Sequence, residues 1–368
     1  MKKLFILCLI SILYSCNKDK ELVSVKKVEF PIDNDIYIEG FSDAENPFLF
    51  YAAGNDTIYK YYLDTDKTEK ISLKAVTGLS FFSRYKILFK DEDFVVNQSQ
   101  YVYNSQTNKL YNLDSLNTSN TYFQFVLADN NTYSWLNNKI LINNWYDCNV
   151  SREEYSDRKQ RELLCNELNQ QKPSYSIVNF ENNSLQLSTL TLKDIRPNPH
   201  YTFDLSSVWS YTISLFVNDV ILYNNHFIDT VFEINAQGNF KKAFTIQSKY
   251  TQFNTEDQIL LHMGNEYYRD YATRVTDILY DRYRDKILVV LVHGTEDIEK
   301  YPEKKLTNRP FSILVYNNNY EFEHEYLFDE KYNYNNVYVC KEGLIINANN
   351  KLAASFKPRQ LIYEIFTY

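Results

Sequence analysis

The sequence predicts an all-β fold, a six-bladed β-propeller built from four-stranded antiparallel blades. A strand-turn-strand hairpin recurs along the 368 residues, and each copy is preceded by another pair of apolar runs. The chain also contains 33 Tyr and 24 Phe, and both residue types favour strands. Only residues 151–170 have a helical pattern, and the remainder consists of short alternating runs separated by turn residues. These three observations together favour a propeller.

The N-terminus has the pattern of a secretion signal. Two lysines precede an apolar run at residues 4–13, which is too short for a transmembrane helix of about 20 residues. This pattern predicts a signal peptide at residues 1–15. The stretch "LYSC", which ends at Cys16, resembles the bacterial lipobox, where a peptidase cuts before a lipidated cysteine. Cys16 is therefore the predicted lipidation site, and an ordinary secretory signal is the alternative.

Lipidation of Cys16 predicts attachment to a membrane. Each buried CH₂ of an acyl chain contributes about 0.8 kcal/mol, so two or three chains make a lasting anchor. Residues 16–21 then form a lipidated tether. Asn17 follows the cysteine, and by resemblance to lipoprotein sorting rules this favours the outer membrane. Whether the protein faces the periplasm or the outside is left open.

The composition excludes several classes of partner and cofactor. The formal charge is -8 and no basic block stands out, so no nucleic-acid partner is predicted. Cys148 and Cys165 flank a capping box at Ser151 that opens the predicted helix. A continuous helix places them about 25 Å apart, too far for a disulfide. We predict no disulfide, no metal site and no cofactor.

The repeated hairpins predict one blade after another along the chain. The hairpins occupy residues 56–73, 99–113, 174–192, 229–246 and 311–328, and a sixth begins at residues 360–368. The apolar segments that precede them are residues 46–55, 90–98, 133–145, 209–227, 275–294 and 336–350. Each unit thus has about four strands, as a propeller blade does. Glycine is scarce, with 7 residues, so asparagine is predicted to close many of the turns.

The sixth hairpin lacks its second strand, and the N-terminal strand is predicted to replace it. A propeller that does not close its ring leaves an exposed strand edge. Residues 22–32 form a lone strand pattern, which we expect beside residues 361–367 as the outer strand of the last blade. Residues 22–368 are then one domain. A β-sandwich or two barrels remain the alternatives for six hairpins.

Taken together, these segments give the chain a family resemblance. It resembles the six-bladed β-propeller lipoproteins of Bacteroidota, a largely uncharacterised family. The resemblance rests on the lipobox at Cys16 and on "VTDILYDRYRDKILVVLVHG", "FSILVYNNNYEFEHEYLF" and "NNVYVCKEGLIINANN". It covers the whole mature chain, most clearly residues 275–368. It implies a location and a fold, with no established activity.

Candidate ligand-binding residues follow from position and chemistry. His226 and His293 each follow an apolar strand, and loops at such strand exits line the binding face of a propeller. The stretch "GNEYYRDYATR" combines tyrosines with arginines, which suit sugar stacking or protein recognition. Its candidate contacts are Tyr267, Tyr268, Arg269 and Arg274. Ser115, in an Asp-Ser-Leu sequence, resembles the O-glycosylation acceptor of Bacteroidota.

No catalytic constellation is recognisable, so the catalytic residues stay unassigned and three functions are open. The sequence contains no G-x-S-x-G, Walker or dinucleotide motif. The first hypothesis is a lipid-anchored binding or scaffold protein for a protein or glycan ligand. The second is a glycan lyase or hydrolase with catalytic residues dispersed over several blades. The third is a structural subunit of an outer-membrane complex that docks through the helix at 151–170.

Overall fold

The computed structural model describes fifteen stretches of the chain. They are residues 22–32, 36–53, 57–78, 86–98, 101–116, 135–136, 138–143, 175–187, 212–217, 220–226, 228–235, 240–253, 272–294, 309–351 and 353–368. The predicted signal peptide, Cys16, the tether and the helical insertion at 151–170 lie outside them, as do Cys148 and Cys165.

The described strands form six separate four-stranded antiparallel sheets, which we number as blades 1 to 6. Blade 1 consists of β2 (Ile36–Ser42), β3 (Phe48–Ala53), β4 (Thr57–Tyr62) and β5 (Thr68–Ser72). Blade 2 consists of β6 (Lys86–Lys90), β7 (Asp93–Gln98), β8 (Tyr101–Asn104) and β9 (Lys109–Asn112). Blade 3 consists of β10 (Trp135–Leu136), β11 (Lys139–Asn143), β12 (Tyr175–Asn179) and β13 (Ser184–Leu187).

The second half of the chain repeats this order. Blade 4 consists of β14 (Thr212–Val217), β15 (Val220–Asn225), β16 (Thr230–Ile234) and β17 (Phe240–Thr245). Blade 5 consists of β18 (Arg274–Asp281), β19 (Lys286–Val292), β20 (Phe311–Asn317) and β21 (Phe322–Phe328). Blade 6 consists of β22 (Val337–Cys340), β23 (Gly343–Asn347), β24 (Gln360–Thr367) and the N-terminal β1 (Val23–Pro31).

The predicted ring closure is confirmed. β1 pairs antiparallel with β24, and the paired residues run from Val23 opposite Thr367 to Pro31 opposite Gln360. The strand β1 therefore completes blade 6 as its outer strand, and the first and last described strands pair in one sheet. This pairing protects the edge of β24 that would otherwise be open.

The first strands of blades 1, 2, 4, 5 and 6 lie towards the centre of the ring. β2 contacts β6, and β18 contacts both β14 and β22, so these strands meet across neighbouring blades. In an antiparallel blade the first-to-second and third-to-fourth turns emerge at one end, which we call the lower face. The second-to-third connections and the connections between blades emerge at the other end, the upper face.

Apolar side chains between neighbouring blades form the core. One cluster joins blades 1 and 2 around Phe48 and Phe94, and another joins blades 6 and 1 around Phe30 and Tyr61. Further clusters fill the spaces between blades 2, 3 and 4, between 4 and 5, and between 5 and 6. Burial of these side chains, at about 25 cal/mol per Å² of apolar surface, holds the blades together.

Asparagine and aspartate share the turn positions that need a positive φ. Asn108 and Asn183 adopt positive φ, as the asparagine-rich sequence predicts, and so do Asp66, Asp91 and Asp285. Both residue types tolerate this conformation because their short side chains bond to nearby backbone.

One glycine is required by its surroundings. Gly343 has a φ of 148°, and a Cβ there would lie 1.9 Å from the carbonyl oxygen of Phe366. It begins β23 directly after the tight turn from β22, and it pairs with Cys340, which is buried and has a free thiol.

Helix is scarce in the described residues. α1 (Leu73–Thr77) and α2 (Leu113–Leu116) each follow the outer strand of a blade. No helix in the described part of the chain is both long and apolar enough to cross a membrane.

Candidate functional site

On the lower face, the turn between β18 and β19 links three blades. The Arg282 guanidinium donates to the Asp43 carboxylate at 3.0 Å, and the Tyr283 hydroxyl donates to the same carboxylate at 2.6 Å. Arg284 donates to the backbone carbonyl of Lys341 at 3.0 Å. Because these partners belong to blades 1 and 6, the turn ties the lower ends of blades 5, 6 and 1 together.

On the upper face, the structure brings two predicted ligand-binding residues together. Arg274 is the first residue of β18, and His226 directly follows β15 of the neighbouring blade. The backbone N–H of Val275 donates to the carbonyl of His226 at 2.8 Å. This bond fixes the start of β18 against blade 4.

A third residue of this group was missed by the sequence analysis. Tyr334 lies in the connection between blades 5 and 6, and its side chain is only 1% exposed. Arg274 Nη2 donates to the Tyr334 hydroxyl at 3.2 Å, and the guanidinium carbon lies 5.7 Å from the ring centroid. Tyr334 sits in an asparagine-rich stretch whose pattern indicates only a turn, so no sequence signal distinguished it.

His226 is a neutral histidine. Its Nδ1 forms a hydrogen bond with the backbone carbonyl of Val275. Burial, aided by the positive charge of Arg274, lowers the pKa of His226 to about 3, while the bond to Val275 opposes both effects. The histidine therefore adds no positive charge next to Arg274 at neutral pH.

His293 lies in a second polar group on the same face. It is 7% exposed, and its Nε2 forms a 2.7 Å hydrogen bond with the Ser312 hydroxyl. The Tyr250 ring stacks on the His293 ring at 6.2 Å and is itself 52% exposed. The next residue, Gly294, donates its backbone N–H to Thr273 Oγ1 at 3.0 Å. Since Thr273 precedes Arg274, the two polar groups adjoin.

The buried state of His293 has a consequence for stability in acid. Burial lowers its pKa to about 4, Arg309 contributes in the same direction, and Glu325 opposes them. The unfolded chain takes up a proton near pH 6.5, whereas the folded chain resists it until about pH 4. The stability that His293 provides is therefore complete above pH 6.5 and is lost as the pH falls towards 4.

We expect the unfolding free energy of His293→Gln to fall less steeply than that of the wild type as the pH is lowered. Between pH 7 and 4.5 the wild type should lose about 1–2 kcal/mol more unfolding free energy than the variant, because glutamine can bond Ser312 without titrating. Denaturant unfolding at several pH values measures this. His226 is present in both proteins, so its own contribution cancels. Superimposable pH profiles would contradict the prediction.

The seam between blades 6 and 1 contains a further buried polar group. The Glu39 carboxylate accepts hydrogen bonds from the Tyr363 hydroxyl at 2.7 Å and from Asn347 Nδ2 at 3.2 Å. Burial raises the pKa of Glu39 above its ordinary value, and both hydrogen bonds oppose the shift. These contacts join the innermost strand of blade 1 to two strands of blade 6. The partners are more than 300 residues apart in the chain, so the repeat pattern of the sequence does not predict that they meet.

Ser115 is exposed and lines a cavity at the rim of blades 2 and 3. Its hydroxyl donates to the carbonyl of Asn112 at 2.7 Å. The cavity has a volume of about 490 Å³, and it is also lined by Tyr111, Phe180 and Glu181. An exposed hydroxyl at such a place is compatible with modification, and O-glycosylation of Ser115 stays a prediction.

The other predicted site residues are not placed. Tyr267, Tyr268 and Arg269 lie outside the described residues, so only Arg274 of that stretch can be located. Among the described residues, no group of three or more His, Cys, Asp or Glu side chains could hold a metal ion.

Comparisons with known proteins agree with the architecture. No protein-family model matches the sequence, and no curated protein matches it. The chain is similar in structure to a member of the DUF4221 family from Bacteroides vulgatus, with a TM-score of 0.67 and 15% identity. That likeness covers 94% of this chain and 98% of that one.

Two further structures resemble the chain less. The extracellular domain of a putative hybrid two-component system from B. thetaiotaomicron has a TM-score of 0.44 at 10% identity, covering 88% of this chain and 32% of that one. Virginiamycin B lyase from Staphylococcus aureus has a TM-score of 0.45 at 11% identity, covering 95% and 100%. At 15% identity, the likeness to the DUF4221 member shows the fold alone. The resemblance to Bacteroidota propellers is thus confirmed in its fold, a six-bladed β-propeller similar to the DUF4221 member.

Proposed function

We propose that the protein is a lipid-anchored envelope β-propeller that binds a glycan or protein ligand through its upper face. The observation that carries this proposal is the group of Arg274, His226 and Tyr334 beside the exposed Tyr250 ring on that face. Aromatic and arginine side chains contribute strongly to recognition surfaces. The lower face, in contrast, uses its arginines to join blades.

The position of β1 supports an orientation relative to the membrane. β1 begins at Val23, opposite Thr367 at the lower end of β24. Val23 lies seven positions after Cys16, and at about 3.3 Å per position this segment spans at most about 23 Å. A lipid on Cys16 therefore keeps the lower face near the membrane, and the upper face points away from it, accessible to a ligand.

The anchor is tested by metabolic labelling with a radioactive fatty acid. We expect label on the wild-type protein and its recovery with outer membranes after fractionation. Cys16→Ala should carry no label and should leave the outer-membrane fraction. Label that persists in Cys16→Ala would show that the lipid is attached elsewhere or that another anchor exists.

Ligand binding is tested with the full-length protein purified in detergent, using a glycan panel and pull-down from envelope extracts. Tyr250→Ala should weaken binding about ten-fold or more, because it removes an exposed aromatic contact. The matched control is Leu327→Ala on the outer strand of blade 5, where the side chain is 51% exposed. Equal affinities of the wild type and Tyr250→Ala would exclude this face, and turnover of a bound glycan would favour the lyase or hydrolase hypothesis.

A further inference from the structure

Arg274 differs from the arginines of the lower face because no counter-charge lies beside it among the described residues. Arg284 pairs with the Asp281 carboxylate at 2.8 Å, and Arg282 pairs with Asp43 at 3.0 Å. Among the residues that the structure describes, no carboxylate lies within ion-pair distance of Arg274. Its Nε is enclosed and finds no acceptor within that part of the chain.

The position of the guanidinium is nevertheless fixed. Tyr334 accepts a hydrogen bond from Nη2, and its buried ring supports the guanidinium at 5.7 Å. A register shift between Val275 and Asp277 marks a β-bulge at the start of β18. Bulges redirect side chains and are common beside functional sites. Arg274 itself is half-buried, so part of its charge reaches the upper face.

An arginine in this position, without a carboxylate partner in the described part of the chain, favours an anionic ligand. Arginine stays protonated at any physiological pH, so it cannot relieve the cost of burial by losing its proton. Most buried donors in proteins have a partner, and one without a partner requires an explanation. Neighbouring His226 is neutral and adds no second positive charge. A negatively charged ligand oxygen beside the guanidinium would supply the charge that Arg274 lacks among the described residues.

We propose that Arg274 and Tyr334 bind the anionic group of an acidic glycan, a carboxylate or a sulfate. This inference rests on the proposed binding function of the upper face. Tyr250 supports a saccharide as the carrier, because an exposed aromatic ring stacks on the apolar face of a sugar. Thr273 connects the Tyr250 and His293 group directly to Arg274, so one oligosaccharide could contact both.

The inference is tested by calorimetric titration of the full-length protein in detergent with four probes. The probes are oligosaccharides of a hexuronic acid, the same oligosaccharides with their carboxyl groups reduced, a sulfated hexose oligosaccharide and the unsulfated hexose oligosaccharide. We expect an acidic probe to bind at least ten-fold more tightly than its neutral counterpart and to weaken with added salt. The preferred probe tells whether the group is a carboxylate or a sulfate.

Variants separate a contact from a structural role. Arg274→Gln should lose the preference for the acidic probe, and Arg274→Lys should retain part of it because the charge remains. The control Lys341→Gln removes one exposed positive charge from the lower face and should leave the preference unchanged. The unfolding midpoint of each variant checks the fold, and a preference retained by folded Arg274→Gln would overturn the inference.

The remaining outcomes distinguish this inference from the broader proposal. Neutral glycans bound as tightly as acidic ones, and weakened by Tyr250→Ala, would retain the binding face but overturn the anion site. Capture of a protein with no affinity for any glycan would also overturn the acidic-glycan inference. No ligand in either assay would overturn both.

Discussion

Phe30→Ala is expected to lower the free energy of unfolding by about 3–5 kcal/mol, as the truncation of a buried phenylalanine does in a well-packed core. Phe30 lies near the end of β1 and is 5% exposed. Its ring stacks on the Tyr61 ring at 4.3 Å with an interplanar angle of 11°, and it lies 5.9 Å from the Tyr51 ring. The variant therefore loses apolar burial between the closing strand and blade 1.

The destabilisation by Phe30→Ala extends beyond the local contacts of the ring because β1 closes the propeller. Its backbone bonds join blade 6 only, whereas the Phe30 side chain reaches blade 1 across the seam. Removing the ring leaves a cavity where the two blades meet. We also expect native-state hydrogen exchange to increase first in β1 and β24, since opening of the seam exposes this pair.

Val25→Ala is the matched control on the same strand. Its side chain is 54% exposed, so truncation should change the unfolding free energy by less than about 0.5 kcal/mol. Denaturant titration of both variants, followed by circular dichroism and by tyrosine and tryptophan fluorescence, measures the difference. Similar losses for the two variants would mean that β1 contributes through its backbone pairing and not through packing at the seam.

Ring closure illustrates what the sequence can predict. The last predicted hairpin lacks a second strand, and a lone strand is predicted at residues 22–32. The sequence therefore indicates both the unpaired strand edge and the strand that can pair with it. Local alternation likewise locates the hairpins, and in one of them the structure pairs Phe311 with Phe328, the first and last residues of the predicted hairpin. These features depend on neighbours in sequence or on a simple topological requirement.

The candidate site was predicted less completely for a physical reason. His226 follows an apolar strand and Arg274 belongs to a stretch that combines tyrosines with arginines, so the sequence indicates both residues. Tyr334, however, lies 60 residues after Arg274. Arg282 and Asp43 are 239 residues apart. Such contacts arise from the packing of blades around the ring, which no local period encodes. The sequence could therefore indicate which face of the propeller carries the candidate site, but not which residues contact Arg274 and Arg282.

Asp281→Ala is the second large effect, with an expected loss of about 3–5 kcal/mol of unfolding free energy. Asp281 ends β18 and is fully buried. Its Oδ1 accepts the backbone N–H groups of Tyr283 at 2.9 Å and Arg284 at 3.1 Å. Its Oδ2 accepts from the Arg284 guanidinium at 2.8 Å and from the Tyr368 hydroxyl. Alanine leaves all four donors without this acceptor.

Two further variants show which part of this loss comes from the charge. Asp281→Asn retains an oxygen for the backbone N–H groups but loses the ion pair with Arg284, so its loss should be smaller than that of alanine. The control Asp285→Asn changes an exposed carboxylate at a positive φ, which asparagine tolerates, and should cost less than about 1 kcal/mol. Equal losses for Asp281→Asn and Asp285→Asn would contradict a structural role for the buried pair.

The same variants test the division between the two faces. If the lower face joins blades and the upper face binds the ligand, then folded Asp281→Asn should bind the acidic probe as tightly as the wild type while unfolding at a lower denaturant concentration. Arg274→Gln should show the opposite combination, with weaker binding and a nearly unchanged midpoint. Arg284, the partner of Asp281, and Arg274 both lie on blade 5. The opposite behaviour of the two variants would therefore show that Arg284 stabilises the ring and that Arg274 binds the ligand.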